Sequence, residues 1–295
     1  MKTKYLNPNI VNQLNNLYIK AKLIVEGTMY GLHKSPFHGF SAEFSEHRAY
    51  SQGDQIKNID WKLWSKTDKY YVKRFEEETN LSCHIFLDAS KSMDFTSSNV
   101  TKFQYSQMIA AALSYLIIKQ KDSLGLYTFN TEIKLSIPPK NNKNHLNTIL
   151  TLMENMKTNG STNISKVLNF NAEKIKKSGL IILITDLIDD ADKILEGLKH
   201  FQYYKHEILV FHILDRQEVE LKYNEKIVFE DLENKEKINI EPWQIKDSYN
   251  KEYMNKINYF KSSCLKNRIE YNLIYTDQDL DQAIHQFLNK RKMIN

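Results

Sequence analysis

Leu180-Ile181-Ile182-Leu183-Ile184 is an unbroken apolar run that ends in Thr185-Asp186. A strand apolar at every position is covered on both faces, as the central strands of parallel sheets are. Other runs read the same way: residues 83–88, 123–130, 208–213 and 271–275 are strand-like. Helical patterns separate them at about 101–119, 144–156, 163–177, 190–204, 245–266 and 279–291. The helix at 101–119 is apolar almost all round through Met108-Ile109-Ala110-Ala111-Ala112-Leu113, so it is expected to be well buried. A run at 133–137 can pair with the strand before it through Asn130-Thr131-Glu132, and Pro138-Pro139 is expected to stop it. Short strand-like pieces surround Val228-Phe229 and Ile238-Asn239-Ile240. Strands alternating with helices imply an α/β fold, a mostly parallel, doubly wound sheet flanked by helices on both faces.

Such sheets place ligand sites at the C-terminal ends of their strands. Two polar groupings fall there. Asp88-Ala89-Ser90-Lys91-Ser92 follows the apolar Ile85-Phe86-Leu87, and Asp186 follows Ile184-Thr185. Ser161-Thr162, in the turn between two helices, can reach the same edge. One carboxylate with two hydroxyls at alternating positions is a hard-oxygen donor set, suited to magnesium or manganese rather than zinc. Taken alone, Asp-x-Ser-x-Ser is equally a turn that caps the next element. Thr162 and Asp186, expected at the same edge, favour the metal reading.

The 295 residues, 41% hydrophobic and 26% charged, suit one large or two small globular domains. The net charge of +5 comes from scattered lysines without a compact arginine stripe, so nucleic acid is not an expected partner. The two cysteines, Cys83 and Cys264, lack metal-ligand spacing and suit a reducing, cytoplasmic setting. Neither an apolar leader nor a membrane-length run is present, so association with membrane-bound partners would be peripheral.

The first 80 residues differ in character. Ile10, Val11, Leu14, Leu17, Tyr18, Ala21, Ile24 and Val25 define a helix over 9–25, which Gly27 is expected to end. Residues 27–80 mix short aromatic runs with Gly, Pro and Asp, which predicts a small β-rich extension. Glu43, Glu46, Arg48, Asp54, Asp60 and Arg74 are read there as a structural ion-pair network. The organisation expected is therefore an N-terminal helix and extension over 1–80, then an α/β domain over 81–295.

Asp88-x-Ser90-x-Ser92, Thr162 in a Gly-Ser-Thr-Asn loop, and Asp186 after a buried strand together resemble a von Willebrand factor A domain. The resemblance implies a metal-ion-dependent adhesion site. Ser90, Ser92 and Thr162 would be hydroxyl ligands of magnesium or manganese, with Asp88 and Asp186 as the charged pair; Ser161 beside Thr162 could take its role. It further implies that an acidic residue of a partner protein completes the shell.

Ser35-Pro36-x-x-Gly39, Glu43-Phe44-x-Glu46-x-Arg48-x-Tyr50, Gly53-Asp54 and Ile59-Asp60-Trp61 resemble the signature of a bacterial family of unknown function. Its members join this segment to a von Willebrand A domain and are commonly encoded beside MoxR-type AAA+ ATPases. The likeness extends to Asp231-Leu232-Glu233. Lys57 and Lys66 stand where that pattern has Arg, and Asn163 where Asp is common. Some members carry a membrane-anchored N-terminal region, and this chain is expected to begin at the soluble part. The implied function is a non-enzymatic, metal-dependent interaction module that works with a MoxR-type ATPase in chaperone-like maturation or assembly. The competing reading is a magnesium-dependent phosphohydrolase of the haloacid-dehalogenase type. That chemistry needs a second Asp two residues after the first, where this chain has Ser90.

Overall fold

A computed structural model of the chain describes residues 6–33, 47–49, 61–67, 69–73, 81–221, 227–230 and 237–294. The chain forms two compact units. One joins Met1–Ser35 to Leu81–Asn295, and the other is Pro36–Asn80. In chain order the first contributes α1 (Pro8–Asn12) and α2 (Leu17–His33); the second follows with β1 (His47–Ala49), α3 (Trp61–Thr67) and β2 (Tyr71–Lys73). The first unit then resumes with β3 (Ser82–Asp88), α4 (Lys102–Lys119), β4 (Ser123–Phe129), β5 (Ile133–Lys140), α5 (Lys143–Glu154) and α6 (Ile164–Ala172). After these come β6 (Leu180–Thr185), α7 (Ala191–Tyr203), β7 (Glu207–Leu214), α8 (Arg216–Glu220), β8 (Ile227–Glu230), β9 (Lys237–Ile240), α9 (Pro242–Lys266), β10 (Glu270–Tyr275) and α10 (Asp281–Ile294).

Six strands make the main sheet in the order β10-β7-β6-β3-β4-β5. All neighbours are parallel except β4 and β5. From β3 the chain winds outward through β4 and β5, and from β6 outward the other way through β7 and β10. The winding reverses between β3 and β6, which makes that crevice the topological switch point. The doubly wound, mostly parallel α/β sheet expected from the sequence is present.

The unbroken apolar run of β6 has the physical cause inferred for it. Leu180, Ile182 and Ile184 face one core with α2, α4, α5 and α10. Ile181 and Leu183 face the other, with α6, α7 and the C-terminal half of α9. Burying one such side chain is worth about 1.5–3 kcal/mol, so a strand used on both faces gains from every position. Cys83 and Cys264 are buried thiols in opposite cores.

Three expectations need correction. The N-terminal helix belongs to the sheet's unit rather than to a 1–80 extension, because Leu17, Ala21, Ile24 and Val25 bury into the core around α4. The helix is also broken at Gln13–Asn16 and runs on through Gly27 to His33. Gly27 is there for space: a Cβ would lie 3.0 Å from Leu6 Cδ2, so the glycine lets α2 receive the Leu6 side chain. Pro138 and Pro139 do not end β5, which continues to Lys140. It is an edge strand, and the register slips between Leu124 opposite Lys140 and Leu126 opposite Ile137. An edge tolerates residues without an N–H, and a bulge absorbs the extra one.

In the Pro36–Asn80 unit, β1 and β2 pair antiparallel, with Arg48 opposite Val72. Trp61 packs edge-on to Trp64, and Trp64 stacks on Tyr70. The side chains of the ion-pair network over 43–74, the signature residues at 35–46 and 50–60, the side chains of Lys57 and Lys66, and Asp231-Leu232-Glu233 lie outside the described residues. The pieces at 228–229 and 238–240 form the antiparallel hairpin β8–β9.

Candidate metal centre

Asp88 closes β3, and Asp186 follows β6, so the two carboxylates flank the switch-point crevice at the C-terminal ends of adjacent strands. Both are buried. Asp88 Oδ1 accepts from the Ser90 amide at 2.9 Å, and Oδ2 accepts from Thr185 Oγ1 at 2.6 Å. Ser90 Oγ lies 3.1 Å from Ser92 Oγ, and either hydroxyl can donate to the other. The Ser90 hydroxyl also eases ionisation of Asp88, and that of Ser92 eases ionisation of Asp186. The two serines therefore lie between the two carboxylates. A hydroxyl oxygen keeps a lone pair that a cation can take.

The loop carrying Thr162 is stitched to this one by its backbone. Lys91 N donates to Gly160 O at 2.8 Å, and Asn159 N donates to Ala89 O at 2.9 Å. Gly160 holds φ +70°, where other residues are strained. Asn163 caps α6 by accepting from Lys166 N. Thr162 Oγ1 is buried, and among the described residues it has no hydrogen-bond partner. Ser161 beside it is exposed. An orphaned buried hydroxyl costs about 1–3 kcal/mol unless something accepts or binds it.

Asp186 is aimed by a strained turn. Leu187 is left-handed at φ 53° although it carries a side chain, and Ile188 N donates to Asp186 Oδ1 at 3.3 Å. His212 on β7 donates from Nε2 to the Asp186 carbonyl at 2.9 Å, while its Nδ1 accepts from Tyr271 Oη at 2.6 Å. Burial keeps His212 neutral, with its pKa pushed down to about 3.

The sequence reading missed three residues. Thr185 is one. The others are Lys102 and Glu218. Lys102 Nζ lies 2.9 Å from Asp186 Oδ2 and 2.6 Å from Glu218 Oε1, with its own side chain and that of Asp186 wholly buried. Burial alone would lower the lysine's pKa, but Asp186 and Glu218 outweigh it and raise it. Burial likewise works against ionised Asp186, and Lys102 reverses the effect, holding its carboxyl below the usual range. Among the described residues Asp88 has no such cation. Burial, with Asp186 close by, pushes it up to about 7. A signal for Lys102 was legible: a lysine opening a helix with almost no polar face has nowhere exposed to go.

The five residues named from the sequence, Asp88, Ser90, Ser92, Thr162 and Asp186, thus lie on three loops at one crevice. Their chemistry fits a hard divalent cation: neutral hydroxyls, two carboxylates, one carboxyl costly to ionise unaided, and one hydroxyl without a partner. Among the described residues no group of three or more His, Cys, Asp or Glu is placed to hold a metal ion, so a site here depends on the hydroxyls. Asp189 accepts from Ser165 N, and Asp190 caps α7.

Fold and site define a doubly wound α/β protein with a hydroxyl-and-carboxylate crevice at its switch point. Residues 46–258 match the family described as "Protein of unknown function DUF58", and the chain belongs to that family. It is 22% identical over 231 residues to uncharacterized protein Rv1480 of Mycobacterium tuberculosis, covering 77% of this chain and 72% of that one. The same figures hold for uncharacterized protein Mb1516 of Mycobacterium bovis. Among solved structures, the conserved hypothetical protein BatB of Bacteroides thetaiotaomicron superposes with a TM-score of 0.47 at 13% identity, over 72% of this chain and 99% of BatB. The SpRpn10 VWA domain superposes with a TM-score of 0.43 at 12% identity, over 70% of this chain and 94% of that domain. Among the described residues, no helix is long and apolar enough to cross a membrane.

Proposed function

We propose that this chain is a non-enzymatic protein-interaction module whose divalent-cation site engages an acidic side chain of a partner. We further propose that it works with a MoxR-type AAA+ ATPase in chaperone-like maturation or assembly of protein complexes. The observation that carries the site is the buried, unpartnered Thr162 hydroxyl, on a loop tied to the Ser90–Ser92 loop beside two buried carboxylates. Ser90, Ser92 and Thr162 would hold magnesium or manganese through neutral oxygens, with Asp88 and Asp186 supplying charge. When bound, the ion supplies one strong, directional bond to a partner Asp or Glu. Hydroxyl ligands leave more positive charge there than carboxylates would, which favours an acidic partner. The ATPase partnership rests on the resemblance carried by Ser35–Trp61.

The phosphohydrolase reading has no observation in its favour. Both Asp88 oxygens accept hydrogen bonds, and position 90 holds a buried serine bonded to Ser92. Co-purification of the full chain with a MoxR-type ATPase, in magnesium and in chelator, tests the proposal. Capture is expected in magnesium and is expected to be lost in chelator and in Asp88→Ala. Capture indifferent to both would remove the cation from the reading, and robust magnesium-dependent phosphoester hydrolysis would replace it.

A further inference from the structure

Lys102 breaks two ordinary rules. It opens α4, where the first N–H groups of the helix carry partial positive charge and a lysine is unfavourable. It is also fully buried, which lysines almost never are unless paired. Asp186 and Glu218 offset both costs. Asp186 belongs to the candidate donor set. Glu218 does not: it lies on α8, accepts from Asp215 N at 3.1 Å, and its side chain is 15% exposed. One ammonium is thus divided between a ligand carboxylate and a carboxylate outside the site. Three carboxyls, Asp88, Asp186 and Glu218, stand here against Lys102 and, acting on Asp186 from further off, Lys256, so acidic groups outnumber the lysines and the cluster can accept a further cation.

We propose that Lys102 is a resident counter-cation that competes with a divalent ion for Asp186, and that Glu218 retains the ammonium when the ion takes that carboxylate. The inference rests on the metal-site reading above. Lys102 and Glu218 then act as positioning residues that set how tightly the site binds. The ammonium repels the ion and Glu218 offsets that repulsion. Unit charges several ångströms apart in a protein interior shift a binding constant by at least about tenfold.

Calorimetric titration of magnesium chloride into the full chain, with Lys102→Met and Glu218→Gln alongside and thermal unfolding as a check of folding, tests this. Lys102→Met should bind magnesium at least about tenfold more tightly, and Glu218→Gln at least about tenfold more weakly. General damage would weaken both, so opposite signs are the signature. Equal affinity in all three chains overturns the competition and leaves the metal site standing. Weaker binding by a folded Lys102→Met also overturns it. If that variant does not fold, Glu218→Gln decides: weaker binding supports the proposal, and equal or tighter binding overturns it. Absence of binding in every chain overturns the metal reading and this inference together.

Discussion

Thr185 Oγ1 donates a 2.6 Å hydrogen bond to Asp88 Oδ2, so the residue before one carboxylate of the crevice holds the other. The same oxygen accepts from Leu187 N at 3.2 Å and braces the strained turn that aims Asp186. Thr185→Val keeps the shape and removes the hydroxyl. Urea denaturation should show a loss of about 2–3 kcal/mol, the cost of stripping a donor from a buried carboxylate. Thr185→Ser should recover most of it. A valine variant as stable as the wild type would mean that the Ser90 contacts suffice to hold Asp88.

Asp88→Ala should abolish the binding of magnesium and manganese, because it removes a central member of the donor set. Calorimetry on the folded variant checks this, and unchanged affinity would sink the site assignment.

Thr162 and Ser161 can be told apart. The Thr162 hydroxyl is buried without a partner among the described residues, whereas Ser161 is exposed. Thr162→Val should therefore leave stability in chelator equal or raised by about 1 kcal/mol, since an unsatisfied polar atom is replaced by an apolar one. It should also weaken magnesium binding. Ser161→Ala should change neither quantity. Paired urea melts and calorimetry give both readouts, and the reverse pattern would make Ser161 the ligand.

Gly27→Val should destabilise the fold by about 1–3 kcal/mol, because its side chain would collide with Leu6. A helix-terminating glycine would respond differently, since α2 would then simply end elsewhere. Denaturation midpoints of the wild type and the variant decide the matter.

His84 provides a pH dependence remote from the crevice. Burial, with His206 nearby, pushes its pKa from 6.5 to about 4, and its Nδ1 meets Tyr127 Oη at 3.3 Å. The folded state therefore resists a proton that the unfolded state accepts. Its contribution is complete above pH 6.5, falls as the pH drops towards 4, and is lost below that, amounting to a few kcal/mol. Unfolding free energies measured at pH 7 and pH 4.5 should differ less in His84→Leu than in the wild type. Equal slopes would show that His84 titrates normally.

The order of strands and helices was legible in the chain because period and composition are local properties. An apolar run without alternation implied two covered faces, and β6 has them. The placement of Asp88 and Asp186 was legible for the same reason, since each follows such a run. Gly27 and Pro138-Pro139 misled because their local meaning, helix stop and strand stop, was overridden by a neighbour: the Leu6 side chain in one case, an unpaired sheet edge in the other.

The sequence by itself determined an α/β sandwich with two carboxylates and three hydroxyls at strand ends and in loops. Only the tertiary structure decided that β3 and β6 lie side by side at the reversal of winding, which turns two distant motifs into one crevice. It alone brought Lys102 to Asp186 and to Glu218, 84 and 116 residues further along the chain. Electrostatic pairing in a buried space depends on which groups share it, and no local pattern of residues encodes that.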